Sequence, residues 1–417
     1  MYEQFGISKN VIETAEKVEK EIEPIFKNIE ENSMKVSSKV LKAFQDNRVS
    51  TSDFIEVTGY GYFDAGREKL EKVYSQIFGA EDALVRPQIM SGTHALSIAL
   101  FGVLKYGDTM ISISGEPYDT LKSVIGLTGD SQNSLLKHGI KYEQIELINN
   151  DFDYEKISQR VKKGGIKLIE IQRSRGYSQR KSLSISQIEK VIKMIKEINK
   201  DIIILCDNCY GEFVEDREPT EVGADIVISS LMKNLGAGIA TSGGYVVGRH
   251  DLINQIAETL TTPCIGKDLG ANFNQLLPYY KGLFMAPAVV ASALKSMVFA
   301  SRMLEKFGFQ NVSPKYDEKR TDIIQTIDLN SEENLIKFCQ GVQIGSPVEA
   351  YVKPVPDEMP GYPHKEIMAG GTFTPGSTIE LSCDGPLIMP FTAYMQGGLT
   401  YEYGKLGIMI AINNMLK

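Results

Sequence analysis

A lysine and an aspartate stand at matching places in this chain, each just after an apolar run that predicts a buried strand. Lys233 follows the run Asp225–Ile228 and two serines, and a glycine-rich turn comes next. Asp207 directly follows the earlier run Ile202–Cys206. A single lysine is more often a solvated surface charge, so the prediction depends on the pair. An acid and an amine at neighbouring strand ends can hold a protonated ring nitrogen and form a Schiff base with an aldehyde.

A candidate phosphate-binding loop, Ser91-Gly92-Thr93, lies upstream of this pair. It comes after the predicted strand Ala83–Val85 and opens a helix-like stretch that begins at Ala95. The N–H groups and the dipole at a helix start favour a phosphate, glycine lets the backbone come close, and the hydroxyls can donate. An ordinary serine or threonine helix cap is the alternative explanation. Together with Asp207 and Lys233, the loop predicts a site for pyridoxal phosphate (PLP).

The order of these motifs resembles that of the fold-type I PLP enzymes and, within them, the cystathionine lyase and methionine γ-lyase group. The series is Ser91-Gly92-Thr93, Tyr118, Asp207-Asn208 and Ser230-x-x-Lys233. The stretches Ile171–Tyr177 and Glu380–Pro386 resemble the branch described as methionine γ-lyase-related or aluminium resistance proteins. The likeness covers nearly the whole chain, and its cofactor motifs are more specific than its substrate motifs.

The resemblance implies a role for each cofactor motif. Lys233 would bind the cofactor covalently and then remove the Cα proton of the substrate. Asp207 would keep the ring nitrogen protonated, and Tyr118 would stack on the ring, although a structural tyrosine in a loop is the alternative. Met232 stands where the family has a second hydroxyl. The residues that would bind the phosphate are Ser91, Gly92, Thr93 and Ser230.

A tyrosine-rich loop, Gly59–Arg67, precedes the phosphate loop. In the resembling lyases, a Tyr-x-Arg motif in this region reaches the phosphate of the neighbouring subunit. The match here falls on Tyr60 and Arg67, with Tyr62 as a competing tyrosine because the spacing differs. The resemblance therefore implies a homo-oligomer, at least a dimer and in full a dimer of dimers, whose site is shared between chains.

The residue that binds the substrate carboxylate is not fixed by the resemblance. The family uses an arginine in its small domain, and the corresponding stretch Ser377–Ser382 has none. Arg173 and Arg175 are therefore the candidates, with Arg180 as a third, because a guanidinium binds a carboxylate through two parallel hydrogen bonds. A cluster of surface cations is the alternative explanation for each of them.

Composition limits the classes of partner and the compartment. The formal net charge of −8 and the pI near 5.3 argue against nucleic acid or an anionic membrane as partner. No apolar run has the length predicted for a bilayer span, and the amino terminus lacks a signal pattern. Five cysteines, an odd number, predict reduced thiols and a cytoplasmic location. Cys206 and Cys209 form a C-x-x-C with nothing to complete a zinc site, so we predict packing roles and no metal.

The periodicity of the apolar residues predicts three segments. Residues 1–48 form a helical arm interrupted at Pro24, residues 49–285 a large PLP-binding domain, and residues 286–417 a smaller carboxy-terminal α/β domain. Strands and helices alternate in the large domain, which predicts a mostly parallel sheet with helices on both faces. A long helix is predicted from about Met285. The predicted strands are Ala83–Val85, Thr109–Ile113, Lys167–Ile171, Ile202–Cys206, Asp225–Ile228 and Gly244–Gly248.

These features together predict a PLP-dependent enzyme that acts on an amino acid. The specific prediction is a carbon–sulfur lyase of the cystathionine β-lyase or methionine γ-lyase type, which gives a thiol, ammonia and a 2-oxo acid. Another fold-type I activity, that of an aminotransferase or aldolase, is the alternative enzyme. A PLP-binding protein with a regulatory or metal-tolerance role and little turnover is the alternative from another class. The sequence does not choose between β and γ elimination.

Overall fold

The computed structural model describes residues 1–359 and 364–417 and divides into two compact units. The large unit contains Ser38–Leu231 and Ile239–Phe284. The carboxy-terminal unit contains Met1–Ser37, Met232–Gly238 and Met285–Lys417. The division predicted near residue 285 coincides with one of these boundaries. The predicted arm, residues 1–48, does not form a separate unit, because Met1–Ser37 belongs to the carboxy-terminal unit.

In the described part of the large unit, the strands form one seven-stranded sheet in the order β1-β7-β6-β5-β4-β2-β3. The strands are β1 (Asp82–Arg86), β2 (Thr109–Ser112), β3 (Lys141–Gln144), β4 (Leu168–Gln172), β5 (Ile203–Asp207), β6 (Ile226–Ser230) and β7 (Gly244–Gly248). β7 runs antiparallel to both of its neighbours, β1 and β6, whereas the pairs from β6 across to β3 are parallel. The prediction of a mostly parallel sheet is confirmed.

Helices cover both faces of this sheet. The helices of the described chain are α1 (Lys9–Asp46), α2 (Ala65–Phe78), α3 (Gly92–Val103), α4 (Asp119–Ile125), α5 (Tyr154–Lys162), α6 (Ile185–Ile198), α7 (His250–Leu260), α8 (Leu276–Lys306), α9 (Glu332–Ile344) and α10 (Tyr401–Met415). Residues of α3, α4 and α7 share one buried cluster with Leu168 and Leu205. Successive side chains of a strand point to opposite faces, so Ile169 and Ile204 lie on the face opposite to Leu168 and Leu205. The buried side chains of α6 can cover this second face.

The carboxy-terminal unit is built on a smaller antiparallel sheet. Its described strands are β8 (Val312–Ser313), β9 (Ile324–Asp328), β10 (Glu366–Ala369), β11 (Ser382–Pro386) and β12 (Thr392–Gln396), in the order β10-β11-β12-β9-β8. Helices α9 and α10 pack on each other, and α9 also contacts the sheet. Buried side chains such as Phe338, Cys383 and Met409 form the core between them.

The structure corrects the prediction that Pro24 interrupts the amino-terminal helix. α1 continues through Pro24 without a break. Proline costs one backbone hydrogen bond and a steric contact inside a helix. The buried residues Val11, Val18 and Ile22 pack into the core of the carboxy-terminal unit, and this burial offsets the local cost.

Helix α8 begins earlier than predicted, and its length bears on the prediction that no apolar run could span a bilayer. It starts at Leu276, so that Pro287 lies inside it. Among the described residues, it is long and apolar enough to cross a membrane by length and composition, with a mean hydropathy of 1.8 in its most apolar window. The prediction that no run has this length was therefore wrong. Within the protein, 72% of that window is buried, as in the core helix of a soluble protein.

Candidate functional site

Asp207 lies at the carboxyl edge of the large sheet. In sheets of this kind, ligands bind beyond the carboxyl ends of the parallel strands. It is the last residue of β5, and the strand register pairs it with Gln172 of β4 and Ile228 of β6. Only 6% of the residue is exposed. Its Oδ1 accepts a hydrogen bond from the backbone N–H of Cys209 at 3.0 Å. The carboxylate is therefore held at the sheet edge by a group of its own loop.

The start of α3 meets the end of β6. Gly92 is the first residue of α3, and a Cβ built on it would lie 3.4 Å from Cys209 Sγ and 3.6 Å from Ser230 Cβ. These are ordinary contacts, so a side chain at position 92 would fill this space without a clash. Ser91 caps the helix, because its hydroxyl accepts the N–H of His94 at 3.1 Å. The structure thus brings Ser91, Gly92 and Ser230 together at the start of a helix, a place where a phosphate can bind.

Thr93 and Tyr118 belong to neighbouring segments at the same edge. The Thr93 hydroxyl shares a hydrogen bond of 2.6 Å with Thr120, so that it joins the start of α3 to α4. Tyr118 stands directly before α4, and its backbone N–H donates to Gln172 Oε1 at 2.8 Å. Gln172 was not singled out from the sequence. It directly follows the predicted strand Lys167–Ile171, just as Asp207 directly follows Ile202–Cys206, and this matching place is the signal that could have identified it.

Lys233 follows the end of β6 by three residues. It is half-buried and comes directly before the short 3-10 helix Asn234–Gly236. Ala237 ends that helix with a φ of 50°, a left-handed conformation that side chains adopt rarely. The carbonyl of Met232 accepts the N–H of Thr378 at 3.3 Å. The lysine is therefore on a tightly turned segment that backbone contacts hold.

Arg173 does not have the surroundings expected of a substrate ligand, because its buried guanidinium is bonded to groups of its own chain. Its guanidinium donates to Asn208 Oδ1 at 2.8 Å, to the carbonyl of Gly211 at 2.8 Å and to Glu215 Oε2 at 2.9 Å. A Cβ on Gly211 would come within 2.7 Å of the Arg173 side chain. These contacts correct the prediction for this residue: Arg173 ties the loop after β5 to the loop after β4.

A pocket of about 360 Å³ lies beside Tyr118 in the large unit, and Arg175 and Arg180 line it. Arg180 donates to the carbonyls of Gln172 at 2.8 Å and Lys181 at 3.1 Å, and also to that of Ser174. It therefore shapes the pocket wall. Arg175 is 1% exposed. The pocket is lined by Ser114, Gly115, Glu116, Pro117, Tyr118, Asp119, Lys122, Glu146, Leu147, Gln172, Arg175, Gly176, Tyr177, Ser178 and Arg180.

Arg67 is committed to its own chain, which corrects its predicted role as a phosphate ligand of a neighbouring subunit. It is 2% exposed, and its Nη1 donates to the carbonyls of Gly61 at 2.8 Å and Gly270 at 2.6 Å. Its Nη2 donates to the carbonyl of Asp268 at 3.3 Å. Burial lowers the pKa of the guanidinium. Arg67, in the first turn of α2, therefore fixes the loop that precedes this helix.

The tyrosines of that loop are exposed in the single chain. Tyr60 is 74% exposed and Tyr62 is 44% exposed, and Phe63 beside them is 92% exposed. The backbone below them is held, because the N–H of Gly270 donates to the carbonyl of Tyr60 at 2.8 Å. An aromatic cluster of this kind on a fixed loop is typical of a contact surface.

The residues at the sheet edge fit PLP. The N–H groups at the start of α3 and the Ser230 hydroxyl suit a phosphate, and the missing side chain of Gly92 leaves space there. Asp207 provides the acid for a ring nitrogen, and Tyr118 an aromatic ring nearby along the edge. The strand series, the mixed sheet with its reversed β7 and the smaller second sheet together define a fold of the fold-type I PLP enzymes. A more distant likeness agrees: the pyridoxal-5'-phosphate dependent protein YhfS from Escherichia coli is 17% identical, with a TM-score of 0.61.

The sequence matches the Methionine gamma-lyase family over residues 11–416, and the chain belongs to this family. It is 47% identical to the uncharacterized protein YnbB of Bacillus subtilis strain 168, over 97% of this chain and 96% of YnbB. It is 46% identical to a candidate cystathionine beta-lyase involved in aluminum resistance from Clostridium acetobutylicum, with a TM-score of 0.96 over 100% of this chain and 98% of that chain. A carbon-sulfur lyase involved in aluminum resistance from Clostridium novyi NT is 44% identical, with a TM-score of 0.95 over 99% and 97% of the two chains. The resemblance stated from the motifs is confirmed.

Proposed function

We propose that this protein is a PLP-dependent carbon–sulfur lyase that acts on a sulfur-containing amino acid and releases a thiol, ammonia and a 2-oxo acid. The observation that carries the proposal is the convergence of Asp207, Ser230 and the start of α3 at one sheet edge, with Lys233 three residues after β6. Membership of the methionine gamma-lyase family and the lyase names of its relatives support the choice of reaction.

Each residue has a separate task in this reaction. Bound PLP supplies an electron-withdrawing ring that makes the substrate Cα proton acidic. Asp207 holds the proton at the ring nitrogen, because a buried carboxylate stabilises an adjacent cation. Lys233 would hold the cofactor through its amine and would also accept the proton from the substrate Cα. Tyr118 would stack on the cofactor ring and shield it from water.

Arg175 is the residue that we assign to the substrate carboxylate. It lines the pocket beside Tyr118, whereas Arg173 does not. Arg180 lines the pocket too, and its hydrogen bonds to backbone carbonyls of the loop that carries all three arginines give it a role in the pocket wall. A bidentate pair with a carboxylate requires a guanidinium edge that faces the pocket.

The test is a product assay with purified protein reconstituted with PLP. Cystathionine, methionine and cysteine are offered separately, and thiol, ammonia and 2-oxo acid are measured. Release of all three products from at least one substrate supports the proposal, and the ratio between substrates distinguishes β from γ elimination. Transfer of the amino group without thiol release would instead identify an aminotransferase, and bound PLP without turnover would identify a regulatory protein.

We further propose that two copies of the chain share each site and that the aromatic loop of one copy contacts the cofactor of the other. The exposed Tyr60 and Tyr62 support this assignment, and Arg67 is now given the role of holding the loop. Obligate interfaces cover apolar surface of this kind. Five free cysteines, four of them buried, support the predicted reducing compartment, the cytoplasm.

A complementation experiment tests the shared site. Inactive chains with Lys233→Ala are mixed with inactive chains that carry Tyr60→Ala and Tyr62→Ala, under conditions of proven subunit exchange. A hybrid pair then contains one site with an intact lysine and intact tyrosines, and activity is expected to return. A mixture that stays inactive, or a fully active monomer, contradicts the shared site.

A further inference from the structure

Glu170, in the middle of β4, is a buried carboxyl that the proposed reaction does not use. Its exposure is 0%, and neither carboxyl oxygen has a hydrogen-bond partner in the described part of the chain. Buried polar groups are nearly always paired, because an unpaired one costs desolvation free energy that nothing returns. An unpaired carboxyl in a central strand lowers the free energy of unfolding, and its position next to the proposed site indicates a functional role.

Strand alternation places Glu170 on the same face of the sheet as Asp207. In the register of β4 with β5, Glu170 lies opposite Leu205, and Gln172 lies opposite Asp207. Residues two apart on a strand share a face, so Glu170 is the diagonal neighbour of Asp207. Diagonal neighbours on adjacent strands are roughly 7–8 Å apart. At this separation, and away from water, two carboxylates repel each other appreciably.

The charges around Glu170 keep its ionisation close to neutral pH. Burial, and to a smaller extent the charge of Asp207, raise the pKa of Glu170 to about 7 against the opposite effects of Ser112 and Arg180. The help from Ser112 of β2 is limited, because its hydroxyl donates to the carbonyl of Gly115 at 2.9 Å. From β3, Tyr142 faces the same carboxyl, and burial together with Glu170 raises the pKa of that phenol. The facing groups are thus one acid, one cation and one neutral phenol.

We infer that Glu170 is a positioning residue for the PLP ring, which is protonated in the protein alone and gives its proton to solvent when a cationic ring pairs with Asp207. The inference rests on the proposed function. In this step the carboxyl O–H bond breaks, the proton passes to water and no electrons are transferred. A positive charge beside Asp207 favours the ionised form of its neighbour. The new carboxylate then stands behind Asp207 and helps to keep the ring nitrogen protonated.

The test measures protons and affinity when PLP binds to cofactor-free protein. Calorimetric titrations at pH 7 in two buffers with different ionisation enthalpies give the protons released by the wild type, by Glu170→Gln and by the control Glu197→Gln, an exposed acid on α6. The wild type and the control are expected to release more protons than Glu170→Gln. If PLP binding lowers the pKa of Glu170 by one unit, the PLP affinity of the wild type increases between pH 6 and pH 8. This increase is expected to be about fivefold larger than that of Glu170→Gln.

The outcomes separate this inference from the function on which it rests. A wild type that does not bind PLP contradicts the proposed function. Equal proton release and equal pH dependence in the wild type and Glu170→Gln, with PLP bound by both, overturn only the role of Glu170. If the glutamine variant does not fold, Glu170→Leu replaces it, since leucine has no polar group to leave unpaired. With either variant, a change in PLP affinity between pH 6 and pH 8 equal to that of the wild type overturns the inference.

Discussion

The carboxyl edge of the large sheet and two arginines of the same unit, Arg67 and Arg173, differ in what fixes their side chains. At the edge, Asp207 and Ser230 end neighbouring parallel strands, so their position follows from the chain itself. Arg67, in the first turn of α2, and Arg173, in the loop after β4, could point outward to a ligand or inward to the protein. Both are buried, Arg67 with backbone partners and Arg173 with backbone and side-chain partners. A strand end can therefore be assigned from its sequence, whereas a loop arginine needs the tertiary structure.

The strongest test of the strand-edge assignment is Lys233→Ala. Without this amine the protein has no covalent link to the cofactor and no base at the substrate Cα, so activity is expected to fall by at least about four orders of magnitude. Absorbance of bound PLP and borohydride trapping report the link directly. Lys163→Ala, at an exposed position before β4, is the matched control and should keep both. A trapped adduct in Lys233→Ala would identify another lysine.

Asp207→Asn tests the second residue of the edge, with a smaller effect. The amide cannot carry the negative charge that keeps the ring nitrogen protonated, so turnover is expected to fall by roughly two to three orders of magnitude, about 3 to 4 kcal/mol in the barrier. The fold and part of the PLP binding should remain, because Asn can still accept the N–H of Cys209. The measurement is kcat for the reconstituted variant. Turnover close to that of the wild type would remove Asp207 from the mechanism.

Arg173→Met and Arg175→Met test the other side of the comparison. Removing Arg173 breaks its buried ion pair with Glu215, and breaking such a pair costs about 3 kcal/mol or more in the free energy of unfolding. Arg175→Met should instead raise KM. Chemical unfolding and substrate titration of both variants separate the roles. A stable Arg173→Met protein with a raised KM would restore Arg173 as the substrate ligand.

The sequence predicts the strands and their ends well, and it predicts the contacts of the buried arginines poorly. The predicted strand Gly244–Gly248 is found unchanged, and Ile202–Cys206 shifts by one residue, because continuous apolar runs of this length fit only buried strands. β3 was missed: it has one neighbour, β2, it is not buried, and Lys141–Gln144 has no apolar run. The sequence indicated that Asp207 and Ser230 lie at strand ends, but most partners of Arg67 and Arg173 lie far along the chain. Local spacing carries no information about such contacts.

The variant Glu170→Gln provides the last test, with the smallest expected effect. Glu170 belongs to a strand, as Asp207 and Ser230 do. Burial raises its pKa in the folded protein to about 7, above the usual value of 4.5. The folded state therefore binds the proton more tightly than the unfolded state, so this contribution to stability is complete below about pH 4.5 and is lost as the pH rises through 7. Relative to Glu170→Gln, the cofactor-free wild type should lose about 3 kcal/mol of unfolding free energy between pH 4 and pH 8. Urea unfolding across this range measures the difference. Parallel pH profiles of the two proteins would mean that the pKa of Glu170 is the same in the folded and unfolded states, which would contradict its protonation at neutral pH in the folded protein.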